Sequence, residues 1–225
     1  MAQPAPPSCS GEPGIAVGVS LYWASQTPNT FGQSGLPAQT AFWESATVPA
    51  IYFAGTISQG AAGLKKHGVP SNSGAVHGHR YNARVLAGHI ARRHFGIAVE
   101  RRPLEPAAIA DQLLDELSGE PGHGADIFHQ RSYLARVIGV DNGTGVYDDG
   151  VQPLTHFLDV GGLNAIASTL ETNTAGEIYP AVYVRRDGAI TETILESDVL
   201  LDFRGEAQRK QLAEVLRPLL GAAVS

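Results

Sequence analysis

Two short runs combine residue types suited to close contact with a flat or extended ligand. Ile51-Tyr52-Phe53-Ala54-Gly55-Thr56 is apolar and ends in Ala-Gly-Thr, so backbone free of bulky side chains can approach a ligand there. Ser73-Gly74-Ala75-Val76-His77-Gly78 then opens a segment whose apolar residues fall at helical spacing, with Ser73 as the N-cap. The first turn of a helix presents unpaired N–H groups and the positive end of a dipole, which stabilise negative charge on a bound cofactor. Gly74 and Ala75 keep Cβ atoms away from that position, and Gly78 permits close packing one turn further on. His77, Arg80, Tyr81 and Asn82 are the nearby polar residues. Arg80 and Arg84 equally suit a solvated helix face, and Tyr81 suits a core with its hydroxyl satisfied locally. Asn82, a mediocre helix former, favours a specific hydrogen bond. Any α/β protein has strand–loop–helix units with glycines at the turns, so spacing alone does not name a ligand.

Other chemistries find less support. The chain has no G-x-G-x-x-G after a strand, no phosphate-binding G-x-x-x-x-G-K-[ST] and no G-x-S-x-G. Gly139 to Gly145 reads only as a turn. On a helix, His77 and His79 diverge by about 200° and would not chelate one ion, so no metal site is expected. Lys65, Lys66 and His67 could face a nucleotide but read first as a solvated loop. Cys9 is the only cysteine, which excludes an intramolecular disulfide and makes a cytoplasmic location the expectation. A formal charge of −6 argues against nucleic-acid binding. No run of about eighteen apolar residues marks a membrane span. A small molecule or another protein is the expected partner.

The elements that must position these residues follow from periodicity. Residues 1–14, rich in Pro and Gly, read as a disordered or poorly anchored tail. An apolar run, Ile15 to Tyr22, and a long polar loop, Gln26 to Thr40, follow. Ile51–Thr56 suits a strand buried on both faces, and residues 74–93 suit a helix. Beyond Gly96 an amphipathic helix is expected at Glu105–Leu117, then strands at Tyr133–Val140, Leu154–Asp159, Ala165–Glu171, Ile178–Arg185 and Ile190–Leu195. Asp187-Gly188 is a hairpin turn, and Glu206–Leu220 a closing helix. The domain reading is 15–96 for the ligand segment and 97–225 for an α+β unit with a mostly antiparallel sheet.

The run E-S-A-T-V-P-A-I-Y-F-A-G-T-I-S-Q-G followed by S-G-A-V-H-G-H-R-Y-N-A-R-V-L-A resembles the C-terminal FAD-binding segment of thioredoxin-reductase-like and flavin-monooxygenase-like NAD(P)-binding oxidoreductases. The resemblance is close over Trp43 to Ile90 and looser beyond it. It implies an α/β fragment, the strand–loop–helix of an FAD-binding Rossmann-type domain, with the α+β unit behind it. Ala54, Gly55 and Thr56 would lie by the FAD ribityl–pyrophosphate region, with Thr56 where many relatives carry Asp. Gly74, Ala75 and Val76 would lie near the isoalloxazine, and His77, Arg80, Tyr81 and Asn82 would face the cofactor or a substrate cavity. The resemblance implies FAD and NAD(P)H as cofactors and an oxidoreductase or monooxygenase activity, with no catalytic residue assigned. The family's Gly-rich fingerprints and redox cysteine pair are missing. The chain is therefore expected to act with a separately encoded N-terminal half or as a homo-oligomer, and not alone. The competing reading is a non-catalytic interaction or dimerisation module derived from such a flavoprotein.

Overall fold

Alternating apolar residues and one Asp-Gly turn set the centre of the structure. The computed structural model describes residues 36–61, 63, 66–67, 76–98, 101–119, 124–141 and 145–221. The expectations for residues 1–14, Ile15–Tyr22, Cys9, Lys65 and Ser73–Ala75 lie outside them, as does most of the Gln26–Thr40 loop. Six strands form one open antiparallel sheet: β1 (Arg102–Leu104), β2 (Leu134–Asp141), β3 (Gly145–Pro153), β4 (Asn164–Thr172), β5 (Ile178–Arg186) and β6 (Ala189–Ile194). Their order is β1-β3-β2-β4-β5-β6. Ala165 to Glu171 on β4 and Tyr179 to Arg185 on β5 are buried throughout. Asp187 and Gly188, both at positive φ (50° and 83°), turn β5 into β6 as a two-residue hairpin should.

Two expected features are corrected. Leu154–Asp159 is not a strand but a short helix, α4 (Leu154–Asp159), whose buried Leu154 and Phe157 stand three apart. The segment just before it, where no strand was expected, is β3. Its Gly145-Val-Tyr-Asp-Asp-Gly composition is poor for a strand; pairing with β1 and β2 on both sides overrides it. A bulge leaves Asp149 unopposed, since Val137 pairs with Gly150 and Ile138 with Asp148.

The remaining helices are α1 (Val76–Phe95), α2 (Ile109–Leu117), α3 (Ala125–His129) and α5 (Glu206–Leu220). One sheet face carries Ile138, Ile166, Leu170, Val182 and Val184. It is covered by Ile109, Leu113, Leu114 and Leu117 of α2 and by Leu212 and Leu216 of α5. Each such side chain contributes about 1.5–3 kcal/mol on burial. The other face is built from small residues, Ala135, Ala165, Ala167 and Ala181, on which Leu154 and Phe157 of α4 rest. Residues 101–221 thus have the expected α+β character. Among the described residues no helix is long and apolar enough to cross a membrane.

α1 buries only Gly78, Asn82, Leu86 and Ile90, a single row at four-residue spacing. Leu86 and Ile90 join Trp43, Tyr52, Ala61, Tyr133 and Leu134 in a third apolar cluster, which ties the segment before α1 to the start of β2. Tyr133 donates from its hydroxyl to the Ala41 carbonyl at 2.7 Å, and its ring stacks on Trp43. Ile51–Thr56 is not the doubly buried strand expected. It makes one antiparallel bridge, Tyr52 with Glu44, and then coils into a 3-10 turn at Gly55–Gly60. Its backbone bonds run to one side only, Ser45 N–H to Ile51 O and Phe53 N–H to Trp43 O. The parallel neighbours that would bury both faces are missing among the described residues.

One buried ion pair fastens α2 to the sheet. Arg136 on β2 donates from Nε to both Glu116 oxygens at 2.8 and 2.9 Å, with Nη2 also on Oε1. Burial raises the Glu116 carboxyl pKa despite the facing guanidinium. Burial works against the Arg136 charge too, but Glu116 and Asp148 outweigh it and raise the guanidinium pKa. The attraction therefore outweighs desolvation at the less buried partner and not at the carboxylate. Replacing Arg136 alone with Met should cost about 3 kcal/mol in urea unfolding, because Glu116 is left buried without its partner. The double change Arg136→Met, Glu116→Leu should recover most of that loss. A single-variant loss under about 1 kcal/mol would mark the pair as a solvated one.

Candidate functional site

Ala54 is extended (φ −131°, ψ 160°), and Gly55 at φ +75° breaks into the 3-10 turn. A Cβ at Gly55 would meet nothing within 4 Å, so backbone conformation, not crowding, requires glycine there. Gly60 is the opposite case: a Cβ would come within 2.7 Å of the Pro37 carbonyl oxygen. Ser58 closes the turn by donating to the Gly55 carbonyl at 2.7 Å. Asn82 of α1, 3% exposed, donates from Nδ2 to Ser58 Oγ at 3.3 Å. The turn and α1 are thus joined by a chain of two side-chain hydrogen bonds, the specific bond that Asn82 in a helix suggested.

The expected ligand residues are only partly brought together. Ala54 is half-buried against the third cluster, and Thr56 is exposed on the turn. Val76 opens α1 at 74% exposure. His77 is exposed, and its ring stacks on His129 of α3 at 5.4 Å. Arg80 is exposed and points along a separate cleft. Gly74 and Ala75 lie outside the described residues. Lys66 pairs with Glu192, and His67 Nε2 lies 2.6 Å from the Tyr179 hydroxyl.

That cleft, of about 670 Å³, lies between α1 and α3. Arg80, Tyr81, Arg84, Val85 and Arg92 form the α1 wall. Gly124 to Asp126 form the opposite lip, and Asp149 to Val151 of the bulge form one end. The Glu116–Arg136 pair is its floor. Gly124, at φ +65°, lets α3 start directly against the α2 backbone, where a Cβ would overlap Glu116. Of these lining residues the sequence singled out only Arg80, Tyr81 and Arg84, because the others come from elements far apart in sequence.

A second polar group lies on the sheet face away from α2 and α5. The Tyr183 hydroxyl donates to Glu171 Oε1 at 2.7 Å, and Glu171 is fully buried. Burial, then Glu171 and Glu192, push the Tyr179 phenol up to about 12. Strand alternation places Glu171, Tyr179 and Tyr183 on one face, a signal the hairpin register could have given.

Several histidines are embedded among rings. His89 stacks on Phe42 with centroids 4.1 Å apart, and its Nε2 is buried without a partner. Burial, with Arg92 and Arg93 close by, lowers its pKa to about 4, while Glu44 pulls the other way. Burial first, with His77 and Arg131, lowers His129. Among the described residues no three His, Cys, Asp or Glu side chains are grouped to hold a metal ion.

Two outcomes follow from this packing. Asn82→Ala should cost about 1–2 kcal/mol and speed hydrogen exchange selectively at the Gly55–Gly60 turn; unchanged turn protection would show that the Ser58 link does not hold it. His89 is neutral when folded but takes up a proton near its ordinary value of 6.5 when unfolded. As pH falls from 6.5 toward about 4 the unfolded chain binds more protons, so stability falls across that window. His89→Phe, which keeps a ring against Phe42, should flatten this slope in unfolding titrations; an unchanged slope would assign it to other groups.

No family model matches the chain, and no curated protein or solved structure matches it either.

Proposed function

We propose that this chain is a portion of an FAD-dependent, NAD(P)H-using oxidoreductase or monooxygenase and supplies one side of the flavin site. The observation that carries the reading is the Gly55 turn, held to α1 through Ser58 and Asn82. Gly55 faces open space, which suits close approach of an extended cofactor to the backbone. Ala54, Gly55 and Thr56 would hold the ribityl–pyrophosphate region. Gly74, Ala75 and Val76 would border the ring, and His77 and Arg80 would meet its polar edge. Bound flavin would supply hydride chemistry; the residues of this chain would position it and offer positive charge. The Rossmann-type reading of Ile51–Thr56 is supported by its one-sided hydrogen bonding, which leaves an edge for strands from elsewhere. An N-terminal half encoded separately, or a second copy, would cover that edge, in a cytoplasmic assembly.

The second reading is a non-catalytic interaction or dimerisation module. It is favoured by the α+β unit, whose sheet is covered on both faces without any help from the Gly55 turn. Titration with FAD separates the two. The flavin reading expects a perturbed visible flavin spectrum, weak for the chain alone, and a roughly tenfold weaker response in Arg80→Gln, as loss of one charge-assisted hydrogen bond implies. An unperturbed spectrum at saturating FAD, with the fold intact, removes autonomous flavin binding and leaves the interaction module.

A further inference from the structure

Arg80, Arg84 and Arg92 stand on one four-residue row of α1, with Gly88 as the missing member. Among the described residues none of the three has a carboxylate partner, whereas Arg93, Arg101, Arg102, Arg136 and Arg209 all do. All three line the cleft, and Gly88 leaves a gap in the row, since a Cβ there would meet nothing within 4 Å. Arg84 and Arg92 are about 12 Å apart along the helix axis, within reach of a shared anion across that gap. Tyr81, Val85 and Val151 add a ring and an apolar surface beside it. The acids of the cleft do not cancel this charge. Glu116 is spent on Arg136 and Asp149 on Arg101, which leaves Asp126 on the far lip.

We propose that this cleft binds a nucleoside diphosphate, with the diphosphate held over Gly88 between Arg84 and Arg92 and the base against Val85, Tyr81 and Val151. The volume suits such a ligand. Arginine is the side chain whose planar fork matches phosphate oxygens. In a chain of net charge −6, three unneutralised cations on one wall concentrate positive potential there. The site is distinct from the flavin residues at Gly55 and Val76 and shares with the flavin reading only Arg80 and Tyr81.

Calorimetric titration of the full chain at low salt tests this, with ADP, inorganic pyrophosphate and adenosine as probes. ADP and pyrophosphate should bind saturably and weaken as salt rises, with adenosine at least about tenfold weaker. Arg84→Gln and Arg92→Gln should each weaken ADP about tenfold or more. Gly88→Gln fills the gap while improving helix propensity, so it should abolish tight ADP binding with melting temperature unchanged or raised. Arg217→Gln, exposed on α5 away from the cleft, should bind as the parent does. The proposal is overturned if neither ADP nor pyrophosphate saturates at millimolar concentration. It is overturned equally if the three cleft variants bind like the parent, or if Arg217→Gln loses as much as they do. Flavin mononucleotide, read by its visible spectrum, reports the flavin reading separately, so either can fail while the other stands.

Discussion

The narrowness of the buried row on α1 governs how the rest of the molecule is arranged. A helix on a globular surface ordinarily buries a stripe at least about 100° wide. Here the fully buried members are Gly78, Asn82, Leu86 and Ile90, of which only two are aliphatic. Tyr81 and Val85 pack half-buried beside them, and aromatic residues from outside the helix complete the cluster: Trp43, Tyr52 and Tyr133. Because Asn82 sits in this row, partners for its amide must come from inside the contact, and its Oδ1 has none among the described residues. Ser58 is the partner of Nδ2, which draws the Gly55 turn onto the helix. Packing and turn geometry are therefore one constraint. Eight residues of α1, among them Arg80 and Arg84, are left exposed.

The arginines divide according to that geometry. Arg93 reaches back over the cluster to Glu44, itself pinned by the Ala50 N–H. Arg101 bridges Asp141 and Asp149 across the bulge, and Arg136 satisfies Glu116 beneath α2. These pairs join elements distant in sequence, and the one at Arg136 works in a partly desolvated place where removing either partner is costly. Arg80, Arg84 and Arg92 belong to a row offset by two residues from the buried one, about 200° around the axis. No acid from the sheet reaches them. Neighbouring charges within about 8 Å go largely unscreened at physiological salt, so the row repels itself unless an anion is bound or solvent spreads it.

What the sequence made legible was local. Short runs rich in apolar and β-branched residues marked β4 and β5, and Asp187-Gly188 marked the hairpin from β5 to β6. Four-residue spacing marked α1, α2 and α5, because these patterns are intrinsic to a single element. β3 was hidden because Gly145, Asp148, Asp149 and Gly150 oppose strand formation and only lateral pairing imposes it. α4 was hidden for the reverse reason, as Leu154-Thr-His-Phe-Leu is short enough to read either way. Within the candidate site, the Gly55 turn and the Asn82 hydrogen bond were foreshadowed by residue type. The cleft was not: Glu116 and Arg136 are twenty residues apart, and Gly124 and Asp149 meet them only once the sheet register is set. Arg84 looked like a solvated charge, and Arg92 like nothing in particular, because absence of a partner is a property of the fold.

The two ligand-facing regions also differ in how completely the chain builds them. The segment leading into the Gly55 turn has hydrogen-bonded neighbours on one side, through Trp43 and Ser45, and Gly55 itself faces open space. A cofactor there would be held firmly only if something else supplied the second wall. The cleft has walls from α1, α3 and β3 and a floor from α2 and β2, each fixed by contacts within the chain. Its lip is set by the close start of α3 on α2, and its end by a bulge whose Asp149 is held by Arg101. Preorganisation of that kind lowers the ordering cost that binding would otherwise have to meet. The two regions share one helix: Asn82 on the buried row of α1 meets the turn through Ser58, and Arg84 and Arg92 wall the cleft.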